Sequence, residues 1–279
     1  MEASEPILYE SHMHTPLCKH AQGEPEAYAA VAAERGLRGI IVTCHNPPID
    51  GWSPGVRMAE EQFDTYVQMV DRARQAWAGR VDVRLGMECD YVPGMEEALA
   101  VQLQRAEFNH ILGSVHPQTP EYKTRYFTGD VLAFQQTYFE HLAMAAESGL
   151  FDTLAHPDLV KNEHPQEWQA ERLRETIAAS LDRIAAAGTA MELNTSGLHK
   201  KLPEMNPGRG ILAEMHDRGI PVVLGADAHV PQRVAADYVP GLEMLRDVGF
   251  THINFFLKRE RQEVAIEDAL ASLWVGVQG

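Results

Sequence analysis

The feature that most restricts this chain is an alternation of short apolar runs with longer helical patterns, in which chemically unusual residues close the short runs. The strand candidates are 7–14, 39–45, 81–88, 108–116, 151–158, 190–195 and 220–229. Between them, residues 25–36, 59–79, 95–106, 131–149, 169–188 and 208–219 show the i, i+3, i+4 apolar spacing of helices packed on one face. The first of these patterns begins with a proline, and several stop at a glycine (36, 79, 149, 188 and 219) shortly before the next strand. Strand, helix, strand repeated seven times implies parallel strands joined by crossover helices, hence an α/β barrel or a doubly wound sheet. The run THINFF, 251–256, reads as an eighth strand or an edge piece.

The strand ends decide between the two architectures. His12 and His14, His45, Glu88, His116, His156, and Asp227 with His229 all lie at C-terminal ends of predicted strands. In a barrel those ends converge on one rim, where active sites of such folds are built. An open sheet would spread seven ends along a line too long for mutual contact, and the glycine motif of a dinucleotide fold is missing after the first strand. The expectation is an α/β barrel. A length of 279 residues suits one such barrel, and no linker-like shift of composition divides it, so residues 1–279 are read as a single domain.

Charge and composition then exclude whole classes of function. A net charge of −16 opposes a nucleic-acid surface, which needs stripes of Lys and Arg. The N-terminal MEASEPILYE lacks a basic stretch followed by an apolar run, and no segment approaches the length of a membrane span, so the chain reads as cytoplasmic. Three cysteines, Cys18, Cys44 and Cys89, fit free thiols better than disulfides. Cys44 and Cys89 close apolar strands and read as small buried core residues.

Two imidazoles at His12 and His14 are two residues apart on a strand, so they face one way and can share a metal. One such pair is a weak signal, but a histidine closes four further strands and Asp-x-His closes another. Imidazole with carboxylate suits zinc, manganese or iron. Glu88 stands in the middle of the histidine set, and a carboxylate can bridge two cations where a neutral imidazole cannot. His110, His141, His216 and His252 read as structural and His164 as solvated. Nine candidates (His12, His14, His20, His45, Glu88, His116, His156, Asp227 and His229) exceed the needs of one or two metals, and three divalent cations match them best. Such a cluster lowers the pKa of bound water and neutralises phosphoryl oxygens during in-line attack.

These residues sit in segments that resemble the polymerase and histidinol phosphatase (PHP) superfamily: YESHMHTPLCKHA, TCHNP, GMECDYVPG, GSVH, LAHPD and GADAH. Arg57-Met58, the Asp-Tyr-x-Pro-Gly turn after Glu88, LAHPDLVK and ELNTSGL are similar to its histidinol-phosphate phosphatase branch. The resemblance runs from about residue 7 to 257 and implies a distorted (β/α)7 TIM-like barrel with a trinuclear site of zinc, iron or manganese. It implies that His12, His14, Glu88 and Asp227 hold one metal, with Glu88 bridging to a second held by His116 and His156. His20, His45 and His229 would hold the third. Where the family commonly has Ala-Gly-Leu-Arg-Lys, this chain has Ser196-Gly197-Leu198-His199-Lys200, and the segment after His116 also departs from the usual pattern. Phosphate-contact candidates are therefore Arg57, Lys161, His199, Lys200 and Arg125, with Lys123 beside them.

The expected activity is hydrolysis of a small phosphate monoester, L-histidinol phosphate in histidine biosynthesis, with Asp158 or His229 protonating the leaving alkoxide. Three rivals stand against it. A nuclease of the same superfamily is opposed by the net charge. An amidohydrolase-type enzyme needs a bridging lysine or carboxylate where this chain has Gly113-Ser114-Val115-His116. A non-catalytic scaffold would show eroded ligand positions, and none of the nine is lost.

Overall fold

The computed structural model describes residues 7–276, so residues 1–6, which bear on the N-terminal reading, and 277–279 lie outside the described residues. In chain order the elements are β1 (Tyr9–Glu10), α1 (Pro25–Glu34), β2 (Gly39–Val42), α2 (Phe63–Ala76), β3 (Asp82–Asp90) and α3 (Glu96–Leu103). They continue with β4 (His110–Ser114), α4 (Pro120–Tyr126), α5 (Val131–Glu147), β5 (Thr153–Leu154), α6 (Arg174–Ala187) and β6 (Ala190–Asn194). The last are α7 (Arg209–Asp217), β7 (Val222–Gly225), α8 (Tyr238–Val248), β8 (His252–Leu257), β9 (Glu260–Ala265) and α9 (Ile266–Gly276).

The strands run in the order β1 to β9 with every pairing from β1 to β8 parallel, as repeated strand–helix–strand units dictate. Beyond the ends of β1 and β7, Met13 pairs with Ala228, whose N–H donates to the His12 carbonyl and whose carbonyl accepts the His14 N–H, both at 2.9 Å. The first and seventh strands thus meet at the C-terminal rim, and seven parallel strands close into a barrel with a short seam. Each of the five glycines predicted to end a helix takes a positive φ, between 65° and 77°.

Several predicted strands overran at their C-terminal ends, and two of the overruns have a backbone cause. His156 and Asp227 have φ values of 33° and 49°, so the extended run breaks just where these side chains turn inward. Left-handed backbone at non-glycine residues is costly and gathers at functional sites. Four elements escaped the sequence pattern: α4, α8, α9 and β9. In α8 the Pro240-Gly241 pair interrupts the helical signal, and the β8–β9 hairpin turns on Lys258-Arg259, both with positive φ, without the usual Asn or Gly.

That antiparallel hairpin lies across the N-terminal end of the barrel. Phe255 stacks on Tyr9 of β1 with centroids 4.8 Å apart, and Phe256 on His110 of β4 at 5.1 Å. At the tip, the Lys258 N–H donates to Asn109 Oδ1, and the Arg259 guanidinium meets Asp152 at 3.1 Å. Burial pushes the Asp152 carboxyl from its ordinary 3.8 to about 6, against the pull of Arg259 and the Ile111 N–H. The folded chain therefore holds this proton more tightly than the unfolded chain. The stability it contributes is fully present below about pH 4 and is lost as pH rises through about 6. Urea midpoints measured across that window should fall less steeply in Asp152→Asn than in the wild type.

Candidate active site

Every strand-end residue singled out above reaches the same rim. Glu88, on β3, is buried at the centre, and its two oxygens face different partners. Oε2 lies 3.4 Å from His12 Nε2, 3.5 Å from His14 Nε2 and 2.8 Å from His45 Nδ1. Oε1 lies 3.1 Å from His156 Nε2 and 3.3 Å from His116 Nε2, and accepts the Ser114 hydroxyl at 2.6 Å. Asp227 Oδ1 completes the first side, 3.1 Å from His14 Nε2 and 3.6 Å from His12 Nε2. On the outer side the His20 and His229 rings lie 4.7 Å apart, and His229 stacks on His14 at 4.0 Å.

This packing is electrostatically extreme. Burial pushes the Glu88 carboxyl up, but His45 and His12, with hydrogen bonds from His116, hold it well below the carboxylate range. For His12 burial opposes protonation, yet Glu192, Glu88 and Asp227 together push its pKa well above the usual imidazole value. His45 goes the opposite way, because burial and the nearby Arg57 guanidinium both disfavour its charged form. His12 Nε2, His14 Nδ1 and His156 Nδ1 are buried without a hydrogen-bond partner, although His12 Nε2 faces Glu88 Oε2. Buried polar atoms are seldom left so. Donor sets with ligand atoms within 4.8 Å of one another include His12–His14–Asp227, His45–Glu88–His116 and His14–His45–His229. Imidazole and carboxylate donors at these spacings fit divalent cations.

The partners that orient these groups escaped the sequence reading. Glu192 on β6 accepts from His12 Nδ1 at 2.7 Å and from the His156 N–H at 2.9 Å. Asp90 lies 2.5 Å from His116 Nδ1 and receives the Arg57 guanidinium through two bonds of 2.6 and 2.7 Å. Glu10 accepts three backbone N–H groups, from His12, Ala226 and Ala235, and ties β1 to the segments after β7. A signal for two of them was present: Glu192 is a carboxylate inside an apolar strand, and Asp90 is two residues from Glu88 on the same strand face. Hydrogen-bonded outer partners fix the tautomer and aim of a metal-ligating imidazole. Glu192→Gln should therefore weaken metal affinity about 10- to 100-fold, measured as the chelator concentration that halves the bound metal. Gly225 makes room for this contact, since a Cβ there would strike Glu192 Oε1.

A cavity of about 460 Å³ opens over the cluster. Beside the histidines it is walled by Arg57, Lys200, Gln118, Thr119, Val56 and Leu159. Of the phosphate-contact candidates, only Lys200 offers it a side chain not already fixed by close pairing. Its Nζ is 3.6 Å from Asp227 Oδ2. Arg57 lines the wall, but its guanidinium is committed to Asp90. Three candidates do not line the cavity. Lys161 is buried beneath the wall, held by Asp158, Glu204 and the Met205 carbonyl at 2.7–3.0 Å. His199 points away at the surface, paired with Asp237 and Arg233. Arg125 lies over the Tyr126 ring on α4, outside the cavity. Asp158, expected as a proton donor, also stands off the cavity. Its Oδ2 is taken by Lys161 and the Gly208 N–H.

Comparison with known proteins agrees with this geometry. The family model of the PHP domain matches residues 10–196. The chain is similar to a protein of Deinococcus radiodurans named "Probable histidinol-phosphatase", 36% identical over 255 residues covering 89% of this chain and 96% of the relative. It is also similar to the histidinol-phosphatase of Bacillus subtilis, at 24% identity over 84% of this chain and 98% of the relative. Among solved structures, the histidinol phosphate phosphatase of Lactococcus lactis, complexed with zinc, L-histidinol and phosphate, superposes with a TM-score of 0.78. The two share 17% identity, with 91% of this chain and 98% of that one covered, and the likeness is one of fold, a distorted TIM-type barrel. The chain belongs to the PHP domain family, and within it to the histidinol-phosphatase branch.

Proposed function

We propose that the protein is a metal-dependent phosphatase that hydrolyses L-histidinol phosphate to L-histidinol and phosphate, and that the chain serves as one catalytic domain. One observation carries this most: Glu88 presents its two oxygens to two separate groups of imidazoles, which is the arrangement a carboxylate bridging two cations requires. His12, His14 and Asp227 would complete one cation's ligands, and His116 and His156 those of the second. His20 and His229 belong to a third, to which the family resemblance adds His45. When bound, such cations would lower the pKa of water near neutral pH and offset charge on the phosphoryl oxygens.

The chain's own residues do the rest. Lys200, at the cavity edge, balances Asp227 at rest and can turn its ammonium to a phosphoryl oxygen. Arg57 holds Asp90, and Asp90 holds the His116 ring with Nε2 toward Glu88. The half-open wall of Gln118, Thr119, Val56 and Leu159 can take a small amphipathic leaving group and has no basic track for a polynucleotide. His229 lines the cavity, but its Nδ1–H is held by the Asp227 carbonyl and its Nε2 would hold a cation, so the departing alkoxide takes its proton from solvent.

Among described residues no helix is long and apolar enough to cross a membrane. The substrate assignment is tested by phosphate release from a panel of monoesters with the zinc- or manganese-loaded protein. L-histidinol phosphate should show the highest kcat/KM. A higher value for another phosphorylated metabolite would reassign the substrate, and release from none would end the phosphatase reading.

A further inference from the structure

We infer that Lys161 and Asn162 are positioning residues for the reaction: the buried turn they occupy clamps the loop 195–207 from behind and sets the reach of Lys200 into the cavity. The inference rests on the phosphatase reading above and deepens it, by assigning what holds the lysine that turns to a phosphoryl oxygen.

The loop leaves β6 at Asn194 and returns to it at Asn206, where the two residues exchange backbone hydrogen bonds of 2.7 and 3.0 Å. Lys200 stands near the middle of this excursion. Between the two arms, Gly197 packs so closely on the Glu204 carbonyl oxygen that a Cβ there would come within 2.3 Å of it. The arm that carries Lys200 therefore moves with the arm that returns, and whatever fixes residues 202–205 fixes the backbone of the lysine as well. Nearer the root, the Thr195 and Ser196 hydroxyls tie the outgoing arm to the Ala236 carbonyl and to Asp227 Oδ2. On the outer side His199 pairs with Asp237, an exposed contact that contributes little.

The returning arm is held from the turn Leu159–Asn162, which follows β5. Lys161 commits its three ammonium hydrogens to Asp158 Oδ2 at 3.0 Å, Glu204 Oε2 at 3.0 Å and the Met205 carbonyl at 2.7 Å. Asn162 Oδ1 accepts the Leu202 N–H at 2.9 Å, two residues past Lys200. Asp158 Oδ2 also accepts the Gly208 N–H at 2.9 Å, which closes the clamp at the start of α7. Asp158, Lys161 and Asn162 are all buried, where such bonds are poorly screened and a lost partner is costly. The same turn begins two residues past His156 and places Leu159 on the cavity wall. One element thus sets a metal-side wall and, through the loop, the cation opposite Asp227. The basic side chain at 161 acts on phosphate through a second lysine.

Asn162→Ala carries the test, because Lys161→Met strands the Asp158 carboxylate in the interior without its cation and threatens the fold itself. In the full-length, metal-loaded protein, Asn162→Ala should raise KM for L-histidinol phosphate about 5-fold, the worth of one hydrogen bond, with kcat within about twofold of the wild type. Bound metal should be unchanged. In a Lys200→Met background the same substitution should raise KM no further, since the two act through one ammonium. Hydrogen exchange read by mass spectrometry needs no turnover: peptides covering 196–205 should exchange faster in Asn162→Ala, and those covering β7 at the wild-type rate. The inference is overturned, with the phosphatase reading left standing, by any of three results. These are an Asn162→Ala effect that adds in full to Lys200→Met, a joint fall of kcat and bound metal, or unchanged exchange at 196–205. A wild type that releases no phosphate from any monoester overturns both.

Discussion

Glu88→Gln is expected to lower kcat for phosphate release by on the order of 10³-fold, several kcal/mol of transition-state stabilisation, and to leave the protein with fewer bound cations. The substitution keeps the size of the side chain and an oxygen to accept the Ser114 hydroxyl, so the fold should survive. What it removes is the charge shared between two groups: His12, His14 and His45 on one oxygen, His116 and His156 on the other. An amide offers one weak oxygen donor and turns an N–H₂ toward the second group, which repels a cation. Metal content by elemental analysis should drop together with kcat. If activity falls while all cations are retained, Glu88 acts on substrate and does not bridge.

Asp227→Asn is expected to lower kcat/KM by on the order of 10²-fold. Asn tolerates the left-handed backbone at this position better than most residues, so the local turn should be preserved. Asp227 has two tasks that separate by oxygen. Oδ1 faces His14 and His12, while Oδ2 accepts the Ser196 hydroxyl at 3.1 Å and lies 3.6 Å from the Lys200 ammonium. Loss of the first task should appear in kcat and in metal retention. Loss of the second releases Lys200 and should appear in KM. Lys200→Met isolates the second task and should raise KM with a smaller change in kcat. If Lys200→Met reproduces the whole Asp227→Asn defect with its metal retained, Asp227 serves to hold Lys200 and does not ligate a cation.

Much of this site was legible because barrel chemistry is written at strand ends. His12, His14, His45, Glu88, His116, His156 and Asp227 stand out as polar residues closing apolar runs, and the barrel brings those ends together. Two kinds of residue were not legible. Glu192 meets His12 across 180 residues of sequence, a contact set by strand order that no local spacing can show. Lys161 presents the opposite problem. Its basic side chain beside the LAHPD motif invites a phosphate role, but Asp158 three residues earlier and Glu204 across the chain bury it in an ion pair. His199 likewise takes an ordinary surface partner in Asp237. The hairpin beneath the barrel escaped because two cations fill a turn where Asn-Gly would have announced it.

The most direct measurement is phosphate release from L-histidinol phosphate by one preparation before chelation, after chelation and after reloading. The account predicts turnover in the metal-replete protein, none once the cations are stripped, and recovery when zinc or manganese is restored. Turnover that continues unchanged in the stripped protein, or its absence from a fully loaded one, would contradict it.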